Sequence, residues 1–414
     1  MKKFLRITGA VLLVLILVVC GMLFYLSVGF NKLDFDDDFS TGHDFSSYYL
    51  EAYHEAKEAF RMGAEKMAAI YENAEVAQLP VSSTTEEGLT VDFLYVPGQQ
   101  EGENLLILVS GVHGVEGFVG HAVQHMFMDN FVDPALLANT GLLLIHGVNP
   151  YGFKNNRRVT ENNVDLNRNS SVTPGLYQTV NEGYTSIYDF INPQGKVKRM
   201  SLGNRFFFVK AINEIRKASM PVLRQAVLQG QYEYPEGLYF GGRQAEPQIE
   251  ALIPLLEDWC APYDKILAID LHTGYGERGK LHFFPNPIEA EKRELTEKLF
   301  EGYSIDWGDS DDFYTVTGDF SGMLGDINQD KEFYSMLFEY GTLNSQTTMG
   351  SLKSIHIMIL ENQGKQHGFA SEKDAVRIRG DFREMYYPSS TAWRNHIMQQ
   401  TVEVFDVVIP RFIQ

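Results

Sequence analysis

Cysteine is nearly absent: two in 414 residues, Cys20 and Cys260. Cys20 sits inside an apolar run, far from Cys260. No disulfide framework and no cysteine zinc knuckle can therefore be built, and a metal site must draw on His, Asp and Glu. Positive charge is also short, with 35 Lys and Arg against 54 Asp and Glu, a formal net charge of −19. That excess argues against a nucleic-acid surface and against docking on anionic lipid headgroups. It says little about a small substrate, because a site's local field can oppose the global one. What is present is globular material, 44% apolar, enough for one large domain or two ordinary ones.

One long apolar run stands at the N-terminus. Lys2, Lys3 and Arg6 precede residues 7–30, which hold no charged side chain. A helix of that length spans roughly 36 Å at ~1.5 Å per residue, enough for a hydrocarbon core of ~30 Å. The basic residues lie before the run, and Asp34, Asp36, Asp37 and Asp38 lie after it. The positive-inside rule then keeps 1–6 in the cytoplasm and puts the body of the protein outside. The rival is a cleaved signal peptide, with Ser27-Val28-Gly29 as a small-x-small cleavage site, which would make the protein secreted. The expected division is a cytoplasmic segment 1–6, a transmembrane helix 7–30, an acidic linker 31–44 and a catalytic domain 45–414. Residues 45–80 form a helical extension of that domain, with an amphipathic helix over 49–67.

Four polar groups then follow apolar strands. Residues 105–109 read as a buried strand running into Ser110-Gly111-Val112-His113-Gly114-Val115-Glu116-Gly117. A glycine-rich turn on a rigid strand lets an imidazole and a carboxylate reach one ion. A second strand, 141–145, leads through Asn149-Pro150-Tyr151-Gly152 to a polar loop holding Arg157, Arg158, Asp165, Asn167 and Arg168. An Arg with an Asn suits a carboxylate, a bidentate fork plus one more donor. A third strand ends in Asp270, with His272 just past its end; a fourth carries Glu339, where a carboxylate is costly without a partner. His121 and His125 stand four apart on an expected helix, but Ala122-Val123-Gln124 lacks the glutamate of helical zinc peptidases, so they read as helix surface or core edge. Residues 171–247 are less informative, with helical stretches over 206–228. Strands alternating with helical patterns imply an α/β sheet whose ligands bind beyond the carboxyl ends of the strands. Two His and one Glu with an open fourth position is the ligand set of a catalytic zinc site.

The ordered set of His-x-x-Glu, Asn-Pro-x-Gly, Arg, Val-Asp-Leu-Asn-Arg-Asn, Asp-Leu-His and a strand-borne Glu resembles the carboxypeptidase A-like zinc metallopeptidases. Longer phrases, such as Asp270-Leu271-His272-Thr273-Gly274-Tyr275-Gly276, are similar to a bacterial branch of unassigned function. The resemblance covers residues from about 48 to the C-terminus. It implies a mixed, mostly parallel twisted sheet flanked by helices, here preceded by one N-terminal transmembrane helix. It implies one Zn2+ per chain on His113, Glu116 and His272, a choice that mixed N/O ligands favour. Asp165 would orient His113, Glu339 would be general base and acid, and Arg158 rather than Arg157 would steady the oxyanion. Asn167 and Arg168 would hold a substrate's terminal carboxylate.

The pattern also departs from those peptidases. Ser170 follows Asn167-Arg168-Asn169 where an aromatic is usual, so the packing beneath the clamp is expected to differ. Glu339 is followed by Tyr340-Gly341-Thr342, which is similar to zinc amide deacylases such as aspartoacylase and succinylglutamate desuccinylase. Tyr275 and Tyr314 are candidates for a substrate-capping tyrosine by location alone. Three functions fit: a zinc carboxypeptidase acting on peptides, a zinc deacylase of N-acyl amino acids, and a non-catalytic binding module of the same fold.

Overall fold

The computed structural model describes residues 2–33, 35–99, 102–285, 290–307 and 317–414. Its seven strands are β1 (Glu75–Pro80), β2 (Thr90–Val96), β3 (Gly102–Ser110), β4 (Thr140–His146), β5 (Tyr263–Gly274), β6 (Leu281–Pro285) and β7 (Glu332–Gly341). They form one sheet in the order β1-β2-β4-β3-β5-β7-β6. The four central strands β4, β3, β5 and β7 are parallel, while β2 and β6 join them antiparallel and β1 pairs antiparallel with β2. Five of the seven strands therefore run one way, the mostly parallel mixed sheet that the sequence implies.

The unbroken apolar run of β3 follows from burial on both faces, since side chains alternate across a strand. Leu106 and Leu108 point into one core with the helices Tyr53–Ile70, Gly117–Asn130 and Thr391–Phe412. Leu105, Ile107 and Val109 point into the other, with the helices Pro247–Cys260 and Phe320–Ile327. A third core gathers the helices Glu182–Ile191, Phe207–Ala218, Met220–Leu228 and Thr348–His367 beyond the strand ends.

Several expectations shift. The helix expected over 49–67 starts at Tyr53, and Tyr49 instead hydrogen-bonds the Arg394 carbonyl at 2.8 Å. The helical stretch 206–228 breaks at Ser219, whose φ of 72° a helix cannot hold. His272 lies inside β5 rather than past its end, because the ladder with β7 continues to Gly274 opposite Gly341. Asp165, Asn167 and Arg168 stand on no strand end. They ride a loop after the short helix Pro150–Asn155, with the one-turn helix Leu166–Arg168 capped by the Asp165 side chain.

The helix Lys2–Phe30 contains a stretch, Leu12–Phe30, long and apolar enough to cross a membrane. The acidic segment after it has no regular structure, yet it is docked. Asp37 pairs with Arg278 at 2.6 Å, Arg278 lies over the Phe35 ring, and Phe39 stacks on His396.

The polar loop is tied to the third core by Arg157. Its Nε donates to Glu361 at 2.9 Å, and both side chains are largely buried. Removing one partner of such a pair strands a charge and costs about 3–5 kcal/mol. Arg157→Ala is therefore expected to lower the unfolding free energy by roughly that amount, measured by denaturant melts. An unchanged midpoint would show the pair to be idle.

Candidate metal centre

Three elements bring the ligand candidates together. β3 ends at Ser110, and Gly111 turns the chain with a φ of 71°, its Cα side packed against Gly147. His113 follows, then the one-turn helix Gly114–Glu116. Gly114 is required, because a Cβ there would overlap the Gly152–Phe153 peptide. The same turn is pinned to the polar loop by Gly114 N to Arg158 O at 3.1 Å and Val115 N to Arg157 O at 2.9 Å. His272 arrives from β5, and Glu339 is its register partner on β7, so both project from the same face.

The geometry is close. His113 Nδ1 lies 2.9 Å from Glu116 Oε1, and His272 Nδ1 lies 3.1 Å from His113 Nδ1 and 3.0 Å from Glu116 Oε2. Each imidazole turns its other nitrogen to a buried carboxylate: His113 Nε2 to Asp165 at 3.2 Å, His272 Nε2 to Asp270 at 2.9 Å. The Asp165 hydrogen bond favours the proton on His113 Nε2 and leaves Nδ1 as a lone pair, while Asp270 stands at ion-pair distance from His272 Nε2 without hydrogen-bond alignment and favours a proton there by charge. Two Nδ1 lone pairs and a carboxylate then face one another within about 3 Å, all three residues buried. Glu116 Oε1 has no hydrogen-bond donor. Such a cluster needs a positive charge at its centre. His113, Glu116 and His272 are the one group among the described residues whose ligand atoms converge so as to hold a metal ion.

The electrostatics agree. Burial opposes ionisation of Glu116, yet His113 and His272 hold its carboxyl well below the usual range. Burial also disfavours a charged His272, but Asp270 and Glu116 lift its pKa well above the ordinary value, so a proton supplies the charge in the metal-free protein. Asp165 stays ionised despite burial, through Arg158 and then His113. Glu339 is pushed up to about 8, first by burial and then by the Glu116 carboxylate.

The remaining sequence candidates line the same cavity, of about 470 Å³. Arg158 Nε donates to Asp165 at 2.9 Å and Nη1 stands 3.5 Å from Glu116. Asn167 accepts from Phe320 N at 2.9 Å, which leaves its NH2 to donate. Arg168 is partly committed: Nε and Nη2 donate to Leu228 O and Nη1 to Asn167 O, leaving two of five N–H groups for a ligand. Beneath this clamp, Ser170 turns back to Leu166 O, and Tyr232 and Tyr177 supply the aromatic packing, with Tyr232 Oη on Arg168 O at 2.8 Å. Tyr275 reaches the site through its backbone N–H, which donates to Glu339 at 2.8 Å. Tyr314 lies outside the described residues. Arg157 turns away to Glu361. His121 is bonded to His146 at 3.2 Å in the apolar core, away from the site.

The sequence left three participants without a role. Asp270 shares a strand face with His272, a two-residue spacing that signals the pairing. Tyr239 carries a φ of 54° and lies under both Arg158 and Arg168 at 5.3 and 5.5 Å. A left-handed tyrosine costs about 1–3 kcal/mol and is held by its surroundings; no pattern in sequence marks it. Tyr386 lines the same cavity from the helix Glu372–Tyr386, next to Arg158.

A family model described as a protein of unknown function, DUF2817, matches residues 49–400. No curated protein matches the chain. Among solved structures it is similar to bovine thrombin-activatable fibrinolysis inhibitor in complex with tick carboxypeptidase inhibitor, at 13% identity and a TM-score of 0.40, covering 76% of this chain and 99% of that one. It is similar also to a carboxypeptidase A from Helicoverpa armigera, at 12% and 0.37, covering 79% and 77%. A metallo-carboxypeptidase from Burkholderia cenocepacia gives 14% and 0.37, covering 77% and 71%.

Two outcomes follow from the charge balance. One divalent ion binds per chain, and its affinity rises with pH because it displaces the His272 proton; calorimetry at pH 6 and pH 8 reads this, and His272→Ala abolishes it. Separately, a carboxyl raised to about 8 in the fold, against about 4.5 unfolded, loses stability as pH climbs between those values. Metal-free Glu339→Gln is therefore expected to exceed the wild type in stability by a margin that grows from pH 5 to pH 8. A constant margin would remove Glu339 as the titrating group.

Proposed function

The chain belongs to the DUF2817 family, and on that premise we propose that it is a zinc-dependent hydrolase that cuts an amide bond next to a free carboxylate. The observation that carries this is the buried convergence of His113 Nδ1, His272 Nδ1 and Glu116, with Glu339 beside them on β7. Two nitrogens and one carboxylate suit zinc and leave a position open. When bound, zinc acidifies water and polarises a carbonyl.

The chain's own groups have separable tasks. Asp165 and Asp270 keep the Nε2 protons and so hold each ring in place. Glu339 takes a proton from the attacking water and passes it to the leaving amine. Arg158, anchored by Asp165, presents its remaining donors to the developing oxyanion. The Asn167 amide and the two uncommitted Arg168 N–H groups hold the substrate carboxylate, which turns binding into orientation. The first reading is a carboxypeptidase, anchored by the helix over 7–30 with residues 45–414 outside the cytoplasm and 31–44 as the connection. If that helix is cleaved as a signal sequence, the enzyme is secreted.

A second reading is a deacylase of N-acyl amino acids. It is favoured by the cavity wall, where Ile187, Ile191, Leu223, Val227, Leu352 and Met358 line the cavity that also holds His113, Glu116 and His272.

The test is a panel of peptides and N-acyl amino acids, with and without chelator. Activity should vanish with chelator and return with Zn2+. Glu339→Gln should lose about 10³-fold or more in kcat, and Arg158→Ala about 10²–10³-fold. Full activity in Glu339→Gln would end the hydrolase reading.

A further inference from the structure

Resting on the deacylase reading, we propose that the substrate is a long-chain N-acyl amino acid taken from the bilayer, with its aliphatic chain along the helical wall of the cavity. The helical side of the cavity is mostly apolar, with Arg224, Ser351 and Ser354 as its polar members. The charged groups of the site, Arg158, Arg168, His113, Glu116, His272 and Glu339, gather on other elements. One wall of the lining comes from the helices Glu182–Ile191, Phe207–Ala218, Met220–Leu228 and Thr348–His367. A short hydrophilic peptide would leave that apolar wall in contact with water. An aliphatic chain covers it, with each buried CH2 adding to affinity.

The wall is continuous with the N-terminal helix. Phe30, at its end, packs in the same core as Ile187, Ala211 and Phe207, and its ring lies 5.6 Å from that of His356. Ser27 Oγ donates to the Arg205 carbonyl at 3.0 Å, and the Arg205 guanidinium lies over Phe24. The segment after that helix is docked through Asp37 and Arg278. The cavity wall is thus held beside the membrane-spanning candidate rather than at the end of a loose tether.

The outer face of the helices Leu202–Arg205, Phe207–Ala218 and Met220–Leu228 suits a bilayer surface. Leu202, Val209, Ile212 and Val222 are exposed, Leu202 by 77%. Residues 196–224 contain eight Lys or Arg and one Glu, in a chain of net charge −19; Arg199 is buried against Asp381 and Arg224 lines the cavity, which leaves six for the surface. Exposed apolar side chains with surrounding cations describe an element lying in a lipid headgroup layer. The global charge had argued against such docking; this segment reverses it locally.

The reaction balances without a further reactant. Water oxygen bonds to the acyl carbon, and the carbon–nitrogen bond breaks. Glu339 carries the water proton to the amine, giving a fatty carboxylate and a free amino acid.

The experiment uses the full chain in nanodiscs with Zn2+ and compares N-acetyl, N-octanoyl and N-palmitoyl forms of one amino acid. Expected is a rise in kcat/KM of at least tenfold from acetyl to octanoyl. Ala211→Trp should collapse that ratio toward one. Leu223→Gln, at a half-buried position, gives the same readout if Ala211→Trp does not fold. A flat chain-length series, or turnover of peptides alone, overturns the inference and leaves the hydrolase reading standing. If nothing is turned over, the hydrolase reading falls, and binding decides the acyl site: Glu339→Gln protein should bind the N-palmitoyl form at least tenfold tighter than the N-acetyl form, and equal affinities overturn it.

Discussion

A buried cluster of three lone-pair donors cannot exist without a cation, and the rest of the site is arranged around that demand. Asp165 and Asp270 keep both imidazoles turned so that Nδ1 faces inward. Without those carboxylates each ring could flip its proton to the inner nitrogen and satisfy Glu116 alone. With them, the inner positions stay open and mutually repulsive until positive charge arrives. Arg158 supplies part of it from outside, joined to Asp165 and near Glu116, but its guanidinium is too far to sit among the three. The centre therefore accepts a proton or a metal ion, and chemistry depends on which.

The sheet makes this arrangement rigid. β3 and β5 are neighbours in the parallel core, so His113 and His272 approach across one strand spacing, and β7 adds Glu339 on the next. Each group stands where apolar strands buried on both faces end or nearly end. Tens of buried Leu, Ile, Val and Phe side chains, each worth about 1.5–3 kcal/mol relative to exposure, hold the strands in register. A register slip of one residue would turn His272 or Glu339 to the opposite face. The polar site is stable because it is a small inclusion in a large apolar frame.

What was legible in sequence follows from the same logic. Apolar strands running into His, Asp or Glu are periodic and local, so His113, Glu116 and His272, and the alternation that implies the sheet, could be read directly. The ladder beyond Asp270 was not legible, because pairing of 271–274 with 338–341 depends on a partner strand far along the chain. The conformation of the loop bearing Asp165 and Arg168 was not legible either, since its turn is built by side-chain capping and by contacts with residues 228–241. Tyr239 was not legible for a related reason. Its left-handed backbone is imposed by neighbours, not by its own preference. Of the helices over 182–228 only the stretch 206–228 was legible, and which face met a cavity could not be told from spacing.

The adjacent arginines show how little separates a structural from a functional side chain. Arg157 and Arg158 differ by one position, and both carry buried guanidinium groups. One meets Glu361 on a helix of the third core and the other meets Asp165 at the candidate metal centre. The backbone carbonyls of both then hold the His113 turn through Gly114 N and Val115 N. The loop thus couples two cores: the one that holds the ligands and the one that forms the apolar wall. The helix Thr348–His367 meets both the N-terminal helix and this loop, packing His356 on Phe30 and pairing Glu361 with Arg157. That helix joins the apolar side of the cavity to the side that holds the His113, Glu116 and His272 cluster.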